Sequence, residues 1–350
     1  MLESAKGNLL EADVEALVNT VNTEGVMGKG IALQFKKKYP DMFAAYRAAC
    51  HAGEVVIGRM NVFERRDMLN PRFIINFPTK QHWRSPARME DIEAGLAALV
   101  GEVRKRGIKS LAVPPLGCGN GGLDWHQVRP AIERALGALA GVHVWMYPPA
   151  GAPEAAQIAH KTERPEMNPS RAIVLRIWRE YFVLGYQLTL LEIHKLLYFL
   201  QEAGEPLRLR FAKGPYGPYA DNLRHLLHRF EGHFTLGFGD GRNQPDTQIE
   251  LLPGSAHEAD QFLDQNPESS RESLQRLRRV AKLIEGFESP YGMELLATVH
   301  WAACHEHAAT GGVEAVQKAV HSWSPRKKRL MKPEHLALSF RRLQEQGWLG

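Results

Sequence analysis

Three short stretches in the first 125 residues gather side chains that can do chemistry. In VNTVNTEGVMGKGIALQF, Asn19 and Asn22 close an apolar run, and Gly25, Gly28 and Gly30 follow before a helical pattern begins. Carboxamides hydrogen-bond sugar hydroxyls. A glycine-rich turn that opens a helix lets backbone N–H groups approach a phosphate, with the helix dipole behind them. In PPLGCGNGGLDW, Gly117, Gly119, Gly121 and Gly122 crowd a second strand-to-helix connection. In NFPTKQHW, Thr79, Lys80, Gln81, His82 and Trp83 occupy five successive positions after Pro78. Taken alone, Lys80 is either a solvated surface charge or the reactive amine of a site.

Neither glycine loop is a nucleotide-binding P-loop, because the Gly-Lys-Ser/Thr ending is missing. Gly117, Gly119 and Gly122 match G-x-G-x-x-G in form. They follow a late strand rather than the first one, which argues against a dinucleotide fold. Each loop by itself reads equally well as a tight turn. Two of them in one small domain suggest a clamp around a diphosphate.

The elements that must position these loops alternate. EALVNTVN, GRMNVFE, RFIINF, IKSLAVPPLG and VHVWMY read as strands, and the RFIINF strand is expected to stop at Pro78 and release Lys80 into a loop. IALQFKKKYP reads as a basic helix ended by Pro40. MEDIEAGLAALVGEVRKRG places Ile92, Leu96, Leu99, Val100 and Val103 on one helical face, with Gly107 as the stop. DWHQVRPAIERALGALAG repeats that spacing through Val128, Ile132, Leu136 and Leu139. Such alternation predicts an α/β domain with helices on both faces of a sheet. Proline, alanine and mixed charges then dominate residues 153–168, which is linker composition. The expected division is an α/β domain over 1–152, that linker, and a mainly helical domain over 169–350.

At 350 residues the chain exceeds a typical single core, and two domains are the default. No apolar run approaches the roughly 20 residues of a membrane span. Three separated cysteines (Cys50, Cys118 and Cys304) suit a reducing compartment, so a soluble cytoplasmic protein is expected. Residues 1–150 carry 19 Lys+Arg against 15 Asp+Glu, a modest basic excess compatible with an anionic partner.

VNTVN with the Gly28-Lys29-Gly30-Ile31 turn, and PPLGCGNGGL some ninety residues later, resemble the macrodomains, an ADP-ribose-binding fold. That resemblance implies a mixed central sheet between helices and covers about residues 1–150. It implies that Asn22 contacts the distal ribose, with Asn19 beside it. Gly28, Lys29, Gly30 and Ile31 would hold the diphosphate together with Gly117, Cys118, Gly119, Asn120 and Gly121. Tyr147 would lie near the adenosine half, and Asn8 and Leu9 near adenine. Asn8 stands where many macrodomains carry an aspartate.

A macrodomain followed by a helical domain is similar, more narrowly, to the DarG family of antitoxins in DarT–DarG toxin–antitoxin systems. The implied activity is hydrolysis of ADP-ribose from thymidine in single-stranded DNA, with no cofactor. The implied partners are ADP-ribosylated DNA and a DarT-type toxin held by the C-terminal domain. Lys80 is the implied catalyst, with Thr79, His82 and Trp83 beside the substrate. Related hydrolases carry an acid in the second glycine loop, at the position of Gly121 here. Asp124, three residues on, reads as a helix N-cap. A neutral Lys80 would attack the anomeric carbon or condense with the ring-opened aldehyde; a protonated one would stabilise the leaving base. The competing expectation is a reader that binds ADP-ribose without cleaving it.

In the second half, LLEIHKLLYFLQEAG and the FAKGPYGPY loop resemble the helical antitoxin domain, although Leu196, Leu197, Tyr198 and Leu200 also read as plain core. VHWAACHEH places His300, Cys304, His305 and His307 close together. Ala309 stands where H-E-x-x-H needs its second histidine and no CxxC occurs, so no metal is assigned. SPRKKRL reads as a solvated basic connection between helices.

Overall fold

The structure is a computed structural model that describes residues 1–65, 69–149, 158, 162–181, 188–241, 243–306 and 308–349. It divides into two compact units: Met1–Glu163 with Gly239–Arg242, and Arg164–Phe238 with Asn243–Gly350. Of the expected linker, only 158 and 162–168 are among the described residues.

The first unit is built on a six-stranded sheet. Its strands are β1 (Leu2–Ser4), β2 (Ala16–Asn22), β3 (Asn61–Glu64), β4 (Phe73–Lys80), β5 (Ser110–Val113) and β6 (His143–Met146), in the order β1-β6-β5-β2-β4-β3. All neighbours are parallel except β3 and β4. The ALVNTVN and FIINFPTK segments are buried along almost their whole length. A strand covered on both faces reads as a continuous apolar run, which is why the pattern of these two segments points to the sheet centre.

Alternation along each strand then separates two cores. Ala16, Val18, Phe73, Ile75 and Phe77 pack under α3 (Met89–Arg106) and α4 (Trp125–Gly137). Leu17, Val21 and Ile74 pack under α1 (Gly30–Lys38) and α2 (Pro40–His51). Helix α3 buries Ile92, Leu96, Leu99 and Val103, and Gly107 ends it in the left-handed region at φ 64°. Gly95 lies against Phe77: a Cβ there would meet the ring at 2.2 Å, so glycine is what lets helix and strand close.

Three features differ from the sequence expectation. Pro40 does not merely end a helix. It opens α2 at its first position, where its missing N–H is no loss. β1 was unmarked, being a three-residue edge strand with little burial. β4 runs through Pro78 to Lys80, so the lysine is on a strand and not in a released loop. β3 pairs only as far as Asn76, and the register with β2 shifts between Val21 and Asn22. A residue without N–H is tolerated at such an irregular margin.

The second unit is mainly helical. It contains α5 (Pro169–Tyr181), α6 (Leu190–Glu202), α7 (Leu223–Phe230), α8 (Ser255–Gln265) and α9 (Pro267–Ile284), then α10 (Pro290–Cys304), α11 (Gly312–Trp323), α12 (Pro325–Leu330) and α13 (Pro333–Glu345). Leu196, Leu197, Tyr198 and Leu200 of α6 are fully buried in its core. KGPYGPY is a tight hairpin rather than a loop, Phe211–Gly214 against Gly217–Ala220. SPRKKRL is solvated at Lys328 and Arg329, as expected, but not at Lys327. Lys327 is fully buried, donating to Glu294 at 2.8 Å and to Thr298 at 3.0 Å.

Candidate active site

Parallel pairing brings the functional strand ends together. In the β2–β4 ladder, Asn22 is the partner of Lys80, both at the C-terminal edge of the sheet. Ligands of open α/β sheets bind at that edge, because the loops leaving the strands converge there. The loops are tied across the gap: the Thr23 amide and hydroxyl both donate to the Gln81 carbonyl, at 3.1 and 3.0 Å. Lys80 Nζ donates to the Asn120 carbonyl at 3.0 Å, inside the second glycine loop. Residues 22, 80 and 120 therefore meet, although 58 and 40 positions separate them along the chain.

Lys80 is partly buried, and that desolvation lowers its amine pKa from the usual lysine range. Among the described residues no carboxylate pairs with it, and the Asn120 carbonyl is the acceptor that it meets. Thr79 is buried with its hydroxyl on the Val21 carbonyl at 3.3 Å. It fixes the strand end rather than facing outward.

The first loop is shaped by Asn22. Its Oδ1 accepts from the amides of Glu24 (2.9 Å) and Val26 (3.3 Å), and its Nδ2 donates to the Val26 carbonyl at 2.6 Å. The buried Tyr46 phenol, from α2, donates to the Asn22 carbonyl at 2.6 Å. Tyr46 escaped the sequence reading because an aromatic on the inner face of a helix carries no special signal. The turn then enters α1, whose Lys29 N-cap makes no side-chain hydrogen bond and whose first turn holds no acid. Gly30 opens that helix at φ 62°, with Ile31 half-buried behind it. A Cβ on Gly28 would make only an ordinary contact, 3.9 Å from the Val26 side chain.

The second loop is compact. Leu123 N–H donates to the Gly117 carbonyl and Gly122 N–H to the Gly119 carbonyl, both at 3.1 Å. Gly119 and Asn120 are exposed at its tip. A Cβ on Gly121 would lie 2.4 Å from the Gly117 oxygen and 2.8 Å from Ala87 Cβ. No acid fits there without moving the loop. Asp124 caps α4, accepting from the His126 amide at 2.9 Å. Burial first, and Asp124 second, push the Cys118 thiol up to about 11, which keeps it protonated and unreactive.

Several expected ligand residues point elsewhere. Asn19 is wholly buried. Its Nδ2 donates to Asn76 Oδ1 at 2.9 Å, and Asn76 donates on to Asn61 at 3.0 Å. This amide chain crosses the sheet interior, so Asn19 is a structural link and not a cleft residue. The Leu9 side chain is core, leaving only its backbone for a ligand. Asn8 caps the short turn Leu9–Glu11 with its Oδ1, and its amide nitrogen is the group left to bind. Tyr147 is mostly buried in the α1–α2 core, and burial raises its phenol pKa. His82 accepts from the Arg84 amide at 3.1 Å and stacks on Trp83, and Arg84 also lies over the Trp83 ring.

A mixed sheet with a lysine and two glycine loops at one edge defines a macrodomain, and residues 18–132 match the Macro domain family. The whole chain is 48% identical to the DNA ADP-ribosyl glycohydrolase of Thermus aquaticus, over 100% of this chain and 94% of that protein. It is 36% identical over 153 residues to a DNA ADP-ribosyl transferase–DNA ADP-ribosyl glycohydrolase fusion protein of Thermosipho africanus, 39% of either chain. The solved macrodomain of Thermus aquaticus DarG is 58% identical over 43% of this chain and 99% of that one, with a TM-score of 0.42. The chain belongs to the DNA ADP-ribosyl glycohydrolase (DarG) family and is a hydrolase, which sets aside the non-catalytic reader. Among the described residues, no helix is long and apolar enough to cross a membrane.

Proposed function

We propose that the chain hydrolyses ADP-ribose from thymidine in single-stranded DNA, reversing a DarT-type toxin, with Lys80 as the catalytic residue. The observation that carries this reading is the partly buried amine held at 3.0 Å from the Asn120 carbonyl of the second glycine loop, beside Asn22 of the first. Glycosidic cleavage at the ribose anomeric carbon needs either a nucleophile or a cation beside the leaving base. Burial without a paired carboxylate enlarges the neutral fraction of the amine, and so favours attack on the anomeric carbon or condensation with the open-chain aldehyde. The exposed tip of the second loop, Gly119 and Asn120, offers backbone amides to the diphosphate, whereas the Gly30 amide at the start of α1 already donates to the Asp240 carbonyl at 2.8 Å. Trp83 and His82 present a ring platform beside the lysine, suited to an unstacked base. With no acid in the second loop, Lys80 has to act without a partner carboxylate from that position.

The second unit, in this reading, binds the toxin. The fully buried α6 core supports that surface without touching the partner.

The deciding experiment incubates wild type and Lys80→Ala with an ADP-ribosylated single-stranded oligonucleotide and measures free ADP-ribose. Loss of release with ADP-ribose binding retained is expected. Release at the wild-type rate removes Lys80 from the chemistry. Co-purification of the chain with a DarT-type toxin tests the second part, and absence of a complex removes it.

A further inference from the structure

The second unit contains a cluster that sequence spacing had discounted. His300 lies near the end of α10, and His305 is the residue that caps it. The third member is Glu202, the last residue of α6, 98 positions before His300. One carboxylate oxygen and one ring nitrogen from each histidine all lie within 4.8 Å of one another. We propose that Glu202, His300 and His305 form a binding site for a divalent cation of the zinc class, which clips the end of α6 to the end of α10.

The distances suit that ion. Zinc–nitrogen and zinc–oxygen bonds of about 2.0–2.1 Å put neighbouring tetrahedral donors roughly 3.3 Å apart. His305 Nε2 and Glu202 Oε1 are already 3.1 Å apart. Cys304 Sγ lies 3.7 Å from His300 Nε2, outside the three-donor cluster. Zinc accepts imidazole and carboxylate together, whereas magnesium and calcium take oxygen donors, so the two imidazoles favour zinc.

The donors are also held in place. The Tyr198 hydroxyl is hydrogen-bonded to His300 Nδ1 at 2.7 Å, which fixes that ring. The His305 ring stacks on Trp301 at 4.3 Å. Such outer contacts orient metal-binding histidines. The Glu202–His305 ion pair joins two of the donors, and a bound cation would bring in the third, His300, whose ring nitrogens otherwise meet Tyr198 and Cys304.

The test uses the full chain, stripped with a chelator and then loaded with zinc or cobalt. One equivalent of zinc retained after gel filtration is expected, with a melting temperature higher in zinc than in chelator. Cobalt should give the visible absorption bands of a low-symmetry four-coordinate site. Glu202→Gln and His305→Ala alter partly exposed side chains and should leave the circular dichroism spectrum unchanged. Each should weaken zinc binding by about tenfold or more. Zinc retention no greater than a buffer blank, or binding unchanged in both folded variants, overturns the site.

Discussion

At the scale of single residues, the question about this chain is what one amine can do. Lys80 sits at a strand end where burial lowers its pKa and no described carboxylate raises it. If the neutral amine is the reacting form, activity rises with pH as the proton leaves. The inflection should fall below the roughly 10.4 of a free lysine. A pH profile of kcat/KM on ADP-ribosylated DNA measures this, and activity that falls through that range assigns the protonated form instead. Lys80→Arg should be inactive at every pH, because a guanidinium keeps its proton. The residue scale also shows how chemically equal side chains part ways. Asn19 and Asn22 are three positions apart and both amides. One is walled into the sheet against Asn76, and the other shapes the loop at its edge. Residue type made both candidates; strand direction and burial separated them.

At the scale of elements, the site is two loops and the end of β4. Helix α3 and its Gly107 stop were legible because one helix face repeats a local pattern. The end of β4 was misread because proline is ordinarily a strand breaker, and only the shortness of β3 makes Pro78 acceptable. The second loop depends on having no side chain at Gly121. Gly121→Ala should press its Cβ on the Gly117 oxygen and displace the neighbouring Asn120 carbonyl, to which Lys80 donates. Overpacking of this kind costs about 1–3 kcal/mol. A fall in kcat/KM of more than about tenfold is expected, since small misplacements of a reacting group cost that much. Steady-state kinetics on the folded variant check it, and wild-type kinetics would show that the loop is not critical. An acid engineered at this position, Gly121→Asp, should fail for the same reason rather than restore a second catalyst.

At the scale of the whole molecule, two units with separate cores share one chain. The residues assigned to catalysis all belong to the first. Glu294 belongs to the second, where it accepts from Arg326 (2.6 Å) and the fully buried Lys327 (2.8 Å). Glu294→Ala leaves that lysine without its carboxylate, and breaking a buried pair costs about 3–5 kcal/mol. Calorimetry should show the second unit melting earlier while release of ADP-ribose at moderate temperature persists. Equal loss of both would show that the units unfold as one. The sequence by itself determined the α/β and helical halves, the strands and the glycine loops, while Lys80 stood out only through the family resemblance. Those are local properties, carried by periodicity and residue type within a few turns of chain. Only the tertiary structure decided that Asn22, Lys80 and Asn120 meet, that Asn19 does not join them, and that Glu202 reaches His300 and His305. Such contacts depend on strand register and helix packing across tens of residues, and no local pattern encodes the distance between two remote side chains.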